Sequence, residues 1–183
     1  MSLSTTRDSS AQIVQCAISS PRRSRGRSGS RKRARRTNRF DESSARAAVA
    51  DLPAAVADTH ALLFHASASA ALGRRATSHF NACENQQALV YIPAAVIWEV
   101  SLLARASRIN LHRPVRAFFD DLFSNPAYHP FDMSPEQVFL ADELRFTRDP
   151  LDALIVAAAR TLALPLITRD GDIRASGAVR VIW

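Results

Sequence analysis

The sequence predicts an α/β domain over residues 53–183, a mainly parallel, twisted sheet with helices on both faces. Three observations support this fold class. After Pro53, short apolar runs of strand length alternate with longer amphipathic stretches of helix length. Strands that are separated by helices join through crossovers, which make them parallel neighbours. No internal repeat is visible along the chain.

The predicted elements follow from where the apolar pattern changes. Strands are predicted at 54–58, 88–92, 128–131, 165–168 and 179–183. Helices are predicted at 59–66, 73–86, 94–106, 114–124, 135–144 and 151–164. The last of these helices is the most apolar, so it should be buried around most of its circumference.

Proline and short polar residues indicate where several helices begin. Pro93 suits the first turn of the helix that follows it, because proline has no N–H to leave unpaired there. Ser134 and Asp149 each precede a proline, and each suits the N-cap position. Asp149 is therefore interpreted as a capping residue.

Residues 1–52 differ from the rest in charge and composition. They contain 12 Lys+Arg against 4 Asp+Glu, a net charge of +8, whereas residues 53–183 contain 12 against 13, a net charge of −1. Residues 19–44 have almost no large apolar side chain and are expected to be disordered. The overall charge of +7 belongs to this tail, so it does not argue that the domain binds a polyanion.

Three interpretations of the tail remain open. An Arg-rich arm can bind nucleic acid, and a transit peptide has a similar composition. Lys32 is the only lysine against 23 arginines, which favours a composition set by GC-rich codons. A passive tail or a mis-assigned start codon, with the true start near Val49 or Val56, is therefore preferred.

Cysteine content and hydropathy predict a soluble cytoplasmic protein. Cys16 and Cys83 are the only cysteines, so no disulfide framework is expected. The longest purely apolar run, 153–159, is much shorter than the about 20 residues that span a bilayer. No membrane partner is expected.

Four acidic residues occupy positions that suggest a shared site. Asp58 directly follows the first strand and Asp170 follows the strand 165–168, so both should lie at the carboxyl edge of the sheet, where ligands bind. Glu99 and Asp152 lie within apolar helical sequence. A buried carboxylate is costly without a compensating charge, so a cation should accompany these acids.

Each acid alone has an ordinary explanation as a helix cap, a surface acid or an arginine partner. Together they form an all-oxygen set without histidine or cysteine, which suits Mg²⁺ or Mn²⁺ and the hydrolysis of phosphodiesters. Asp172 is either a loop acid beside Gly171 or an auxiliary metal ligand. Residues 53–183 contain no lysine, which argues against a phosphatase or a receiver domain.

Several segments resemble the VapC family of PIN-domain toxins from bacterial type II toxin–antitoxin modules. The resemblance covers about residues 55–183 and implies a PIN-like three-layer fold. It is carried by ADTHALLF at 57–64, IPAAVIWEVSLLARASRINL at 92–111, RDPLDALIVAAA at 148–159, LITRD at 166–170 and the closing VRVIW.

The resemblance implies that Asp58, Glu99, Asp152 and Asp170 form the Mg²⁺-binding acidic cluster of an endoribonuclease. It also implies an RNA substrate, a homodimer and inhibition by a VapB-like antitoxin. Three positions depart from the pattern and predict altered contacts with substrate or antitoxin. Ala153 replaces an arginine, Thr147 a histidine and Phe64 a tryptophan that many relatives have.

Two competing functions remain. One is a catalytically weak PIN protein that acts by binding RNA or its antitoxin. The other is a DNA nuclease of related fold. For Thr168, beside the strand 165–168, two uses are considered besides an ordinary strand end: a hydrogen bond to a phosphate or to an acid of the cluster.

Overall fold

The computed structural model describes Val14–Gln15 and residues 52–183. The expected disorder of residues 19–44 lies outside the described residues, so it stays a prediction. The same holds for the boundary between a tail ending at residue 52 and a domain beginning at residue 53.

The described strands form two parallel sheets. Numbered along the chain, they are β1 (Val14–Gln15), β2 (Ala54–Ala57), β3 (Leu89–Pro93), β4 (Ile109–Asn110), β5 (Tyr128–Phe131), β6 (Leu166–Ile167) and β7 (Val181–Ile182). The larger sheet has the order β5-β3-β2-β6-β7, and β1 pairs separately with β4. Every pairing is parallel, which confirms the predicted fold class.

The described helices follow the predicted order with one addition. They are α1 (Thr59–Ala66), α2 (Arg74–Glu84), α3 (Ala94–Arg105), α4 (Val115–Phe123), α5 (Pro135–Glu143), α6 (Pro150–Thr161) and α7 (Gly171–Ser176). Strands β1 and β4 and helix α7 are not predicted from the sequence. Helix α3 begins at Ala94 as predicted, but Pro93 is the last residue of β3 and the N-cap of α3 and does not lie in the first turn.

Two predicted helix caps are confirmed. The Ser134 hydroxyl accepts a hydrogen bond from the Gln137 backbone N–H at 3.2 Å. A carboxylate oxygen of Asp149 accepts one from the Leu151 backbone N–H at 2.8 Å. Each bond satisfies a donor that has no partner within the helix, and the proline at the first position has no N–H to satisfy.

The strand order places a crevice at the carboxyl ends of β2 and β6. Within the larger sheet, the chain forms the central strand β2 first and then β3 and β5 on one side of it. It then returns to form β6 and β7 on the other side. Right-handed crossovers that run in opposite directions from the centre place helices on both faces of the sheet. Ligands of such sheets bind where the direction reverses, which is between β2 and β6.

Helix α6 forms the centre of the helical packing. Its residues Ile155, Val156, Ala157, Ala158 and Ala159 are fully buried, which confirms the predicted burial around most of the helix. It contacts α3, α5 and strand β2. No helix among the described residues is long and apolar enough to cross a membrane.

Trp183, the last residue, packs against Gly73 at the start of α2. A Cβ atom built on Gly73 would lie 2.6 Å from the Trp183 backbone carbonyl carbon and 2.7 Å from its ring. The Trp183 ring also meets Phe64 edge-on, with ring centroids 6.5 Å apart. Glycine is therefore required at residue 73 for close packing.

We expect Gly73→Ala to lower the free energy of unfolding by about 1 to 3 kcal/mol, because the added methyl group displaces Trp183. Gly171→Ala is the matched control, since a Cβ there meets nothing within 4 Å. Its effect should stay below about 1 kcal/mol. Urea denaturation of both variants measures the difference, and equal stabilities would contradict the packing.

Candidate active site

Asp58 lies at the end of β2, at the N-cap position of α1, and its side chain is 4% exposed. The fully buried Thr168 donates its hydroxyl to the Asp58 carboxylate oxygen Oδ2 at 2.6 Å. The Asp58 backbone N–H donates to the carbonyl of Ile167 at 3.1 Å. The ends of the two central strands are thus joined through both backbone and side chain.

Asp170 lies three residues beyond β6 and is held by the same threonine. Its backbone N–H donates to the Thr168 hydroxyl at 3.0 Å. Its oxygen Oδ1 caps α7 by accepting from the N–H groups of Asp172 at 2.9 Å and Ile173 at 2.8 Å. One oxygen of Asp170 is therefore used by the helix, and the hydrogen bond predicted between Thr168 and an acid of the cluster is present.

Asp172 does not lie in a loop, which was one of the two alternatives predicted for it. It lies in the first turn of α7, a helix that the sequence did not predict, and it is exposed. Its role as an auxiliary metal ligand stays untested.

Glu99 lies on α3 and is joined to the start of α1. The Thr59 hydroxyl donates to the Glu99 oxygen Oε2 at 2.5 Å, and Thr59 is fully buried. Because Thr59 directly follows Asp58, this bond places Glu99 beside Asp58. The contact between α1 and α3 maintains the arrangement.

Asp152 lies in the first turn of α6, as predicted, and is half-buried. Its oxygen Oδ2 lies 3.4 Å from the Thr147 hydroxyl. That hydroxyl also accepts from the backbone N–H of Asp149 at 3.0 Å. The packing of α3 against α6 brings Asp152 to the side of the site where Glu99 lies.

The other predicted acids act electrostatically on Asp152. Burial is the main cause that raises the pKa of Asp152 to about 7, and the negative charges of Asp149, Asp58, Asp170 and Glu99 each raise it further. Such repulsion is screened beyond about 8 to 10 Å at physiological salt. The four acids selected from the sequence therefore lie close enough for their charges to interact, and their role as one site stays a prediction.

Burial also raises the pKa values of Asp58 and Glu99. For Asp58 the hydrogen bond from Thr168 and the nearby His60 oppose the rise. For Glu99 the hydrogen bond from Thr59 opposes it, as does His60, while the charge of Asp58 adds to it. All three acids are harder to ionise than free carboxylic acids.

No arginine within residues 52–183 forms an ion pair with these four acids, and His60 compensates Asp58 and Glu99 only in part. The ion pairs there involve other acids, namely Glu84 with His65, Asp121 with Arg113, Asp120 with Arg116 and Asp142 with Arg145. The described residues also contain no group of three or more His, Cys, Asp or Glu side chains arranged to hold a metal ion. Mg²⁺ commonly takes one or two carboxylates and retains several waters, so the donor chemistry fits a hydrated ion rather than a closed protein cage.

Sequence reasoning missed three contributors to the site. Thr59 is one, because its bond to Glu99 depends on the packing of two helices. Asp149 is another: it is the predicted cap, yet its charge also raises the pKa values of Asp152 and Glu99. His60 is the third: its side chain is exposed, and it acts electrostatically on Asp58 and Glu99.

The fold and site define a parallel α/β domain with converging acids at its topological switch point. The PIN domain family matches residues 55–178, and the chain therefore belongs to the PIN-domain family. No curated protein matches the chain.

Three solved structures are similar to part of this chain. The VapBC2 complex of Rickettsia felis bound to a DNA fragment from its promoter is 16% identical, with a TM-score of 0.49, and covers 70% of this chain and 96% of that one. A toxin–antitoxin complex from Klebsiella pneumoniae is 24% identical, with a TM-score of 0.48 and the same coverage. FitAcB from Neisseria gonorrhoeae is 17% identical, with a TM-score of 0.43, and covers 69% and 94%.

The raised pKa of Asp152 predicts a pH-dependent loss of stability. Between the ordinary value of 3.8 and about 7, the folded protein holds a proton that the unfolded chain has lost. This group's contribution to the free energy of unfolding therefore falls as pH rises through that range, and the loss is complete above about pH 7.

We expect Asp152→Asn, without added metal, to be more stable than wild type at about pH 8 by about 1 to 2 kcal/mol, allowing for solvent screening. The difference should shrink as pH falls towards 4. Chemical denaturation across this range tests it, with Glu143→Gln, an exposed acid on α5, as the control. A variant less stable than wild type at every pH would contradict the repulsion.

Proposed function

We propose that the protein is a metal-dependent endoribonuclease that acts as the toxin of a VapBC-type module. The observation that carries the proposal is the convergence of Asp58, Glu99, Asp152 and Asp170 without an arginine partner among residues 52–183. Membership of the PIN-domain family supports nuclease chemistry. The preference for RNA rests on the sequence resemblance to VapC toxins.

In this proposal the four acids hold Mg²⁺ or Mn²⁺. A bound divalent ion would polarise the phosphate and make water a stronger nucleophile near neutral pH. Thr168 fixes the orientation of Asp58 through a 2.6 Å hydrogen bond, and the same hydroxyl fixes the backbone of Asp170. Pre-oriented carboxylates lose little entropy when a ligand binds.

Glu99 has one carboxylate oxygen left for the cation. Its Oε2 accepts the Thr59 hydroxyl, so Oε1 is the oxygen that would face the metal. Water attacks phosphorus in line with the leaving oxygen, and no covalent enzyme intermediate forms.

The proposal includes the partners implied by the resemblance: a VapB-like antitoxin, a second copy of the chain and cytoplasmic RNA. A catalytically weak protein that binds RNA or its antitoxin is the second candidate. One observation favours that candidate: the described residues contain no group of three or more His, Cys, Asp or Glu side chains arranged to hold a metal ion.

The full-length protein should cleave single-stranded RNA in Mg²⁺ and should stop when a chelator is added. Asp58→Asn should lower the cleavage rate by about two orders of magnitude or more, because a cation ligand is lost. The control is Asp120→Asn, an exposed acid on α4 paired with Arg116, which should retain activity. Gel analysis of an end-labelled RNA measures the rates, and circular dichroism verifies folding.

Equal activity of wild type and Asp58→Asn in Mg²⁺ would contradict the proposed enzyme. If neither protein cleaves RNA but both bind it, the second candidate is correct. Cleavage of single-stranded DNA in preference to RNA would identify a DNA nuclease instead.

A further inference from the structure

A groove of about 310 Å³ lies between the end of α5, the segment that follows it and the start of α6. Val138 on α5 and Leu154 on α6 contribute apolar walls. Arg145 and Arg148, both exposed, contribute guanidinium groups. The volume is near the lower end of the range for sites that hold small organic ligands, about 300 to 1,000 Å³.

The groove is continuous with the candidate active site. Asp149 and Thr147 line it, and both also belong to the surroundings of Asp152. The Thr147 hydroxyl lies 3.4 Å from Asp152 Oδ2. The charge of Asp149 raises the pKa of Asp152 and of Glu99. One end of the groove therefore adjoins the acids.

The groove lining carries no net charge, since it contains two arginines, Arg145 and Arg148, and two aspartates, Asp142 and Asp149. An anion would therefore have to bind at an arginine that lacks a strong partner. Arg148 takes part in no ion pair among residues 52–183, and Arg145 meets Asp142 only in an exposed pair at 3.7 Å. Such an exposed pair is weak, so the Arg145 guanidinium can exchange this partner for a phosphate. Guanidinium groups bind phosphate with two parallel hydrogen bonds.

The lining suits one nucleotide better than a purely apolar ligand. A nucleobase has flat apolar faces that can pack against Val138 and Leu154, and a guanidinium plane can stack on a base. The phosphate of the same nucleotide requires a cation, and Arg148 provides one. Single-stranded RNA exposes both groups, whereas a duplex hides the bases.

From these features we infer that this groove binds one nucleotide of single-stranded RNA next to the phosphodiester that is cleaved. The inference rests on the proposed function, since it assigns the substrate's position relative to the same site. The nucleobase packs on the apolar walls between α5 and α6. Arg148, with Arg145, binds the flanking phosphate.

The first test compares Arg148, which lines the groove, with Arg160, which does not. Arg148→Gln removes the groove cation, and Arg160→Gln removes an exposed cation at the other end of α6. Binding of full-length protein to a fluorescent single-stranded RNA is measured by anisotropy with chelator present, so that no cleavage intervenes. Arg148→Gln should weaken binding about tenfold and reduce the salt dependence by about one phosphate contact, whereas Arg160→Gln should do neither.

The second test uses two neighbouring apolar residues on α5. Val138 lines the groove, while Phe139 is 68% exposed and does not line it. Val138→Glu should weaken RNA binding, because the carboxylate repels the phosphate, and Phe139→Glu should leave it unchanged. Equal effects of the two substitutions on RNA binding would overturn the inference. So would a loss of self-association in both variants with no change in RNA binding, since a second copy of the chain would then cover the groove.

These outcomes separate the groove from the catalytic proposal. If Asp58→Asn abolishes cleavage but Arg148→Gln and Arg160→Gln bind RNA equally, the groove assignment fails and the enzyme stands. If no cleavage occurs but only Arg148→Gln weakens binding, the proposed enzyme fails and the groove stands. Tighter binding of duplex DNA than of single-stranded RNA, with the same dependence on Arg148, would overturn the substrate class assigned to the groove.

Discussion

The hydrogen bond from Thr168 to Asp58 joins two chain segments that are 110 residues apart, and the candidate site depends on it. It fixes the first acid at the end of the central strand, and through the backbone of Asp170 it fixes the last acid as well. The Thr59 hydroxyl likewise fixes the carboxylate of Glu99 through a hydrogen bond. Buried hydroxyl groups thus hold carboxylates close together although their charges repel, and this repulsion opposes folding.

The fold was largely predictable because its signals are local. Apolar runs marked the strands of the larger sheet, and Ser134 and Asp149 marked two helix starts. Strand β4 was missed because a pair of only two residues has no recognisable period. Helix α7 was missed because its six residues begin with glycine and depend on the Asp170 cap for their first turn.

The candidate acids could be selected from the sequence, but their contacts could not. Asp58 and Asp170 could be selected because parallel strands end at one edge of the sheet, and Glu99 and Asp152 because acids in apolar helices need an explanation. The bond between Thr59 and Glu99 depends on how two helices pack, which local sequence does not determine. Asp149 illustrates a further difficulty, since one side chain both caps a helix and adds charge to the site.

The acids at the ends of β2 and β6 are proposed to bind a divalent cation. Equilibrium binding of Mn²⁺ to the full-length protein, followed by electron paramagnetic resonance, tests this binding most directly. The account predicts saturable binding by wild type, and strongly weakened binding by Asp58→Asn and by Asp152→Asn. Unchanged Mn²⁺ binding by both variants would contradict it, because the ion would then be held elsewhere.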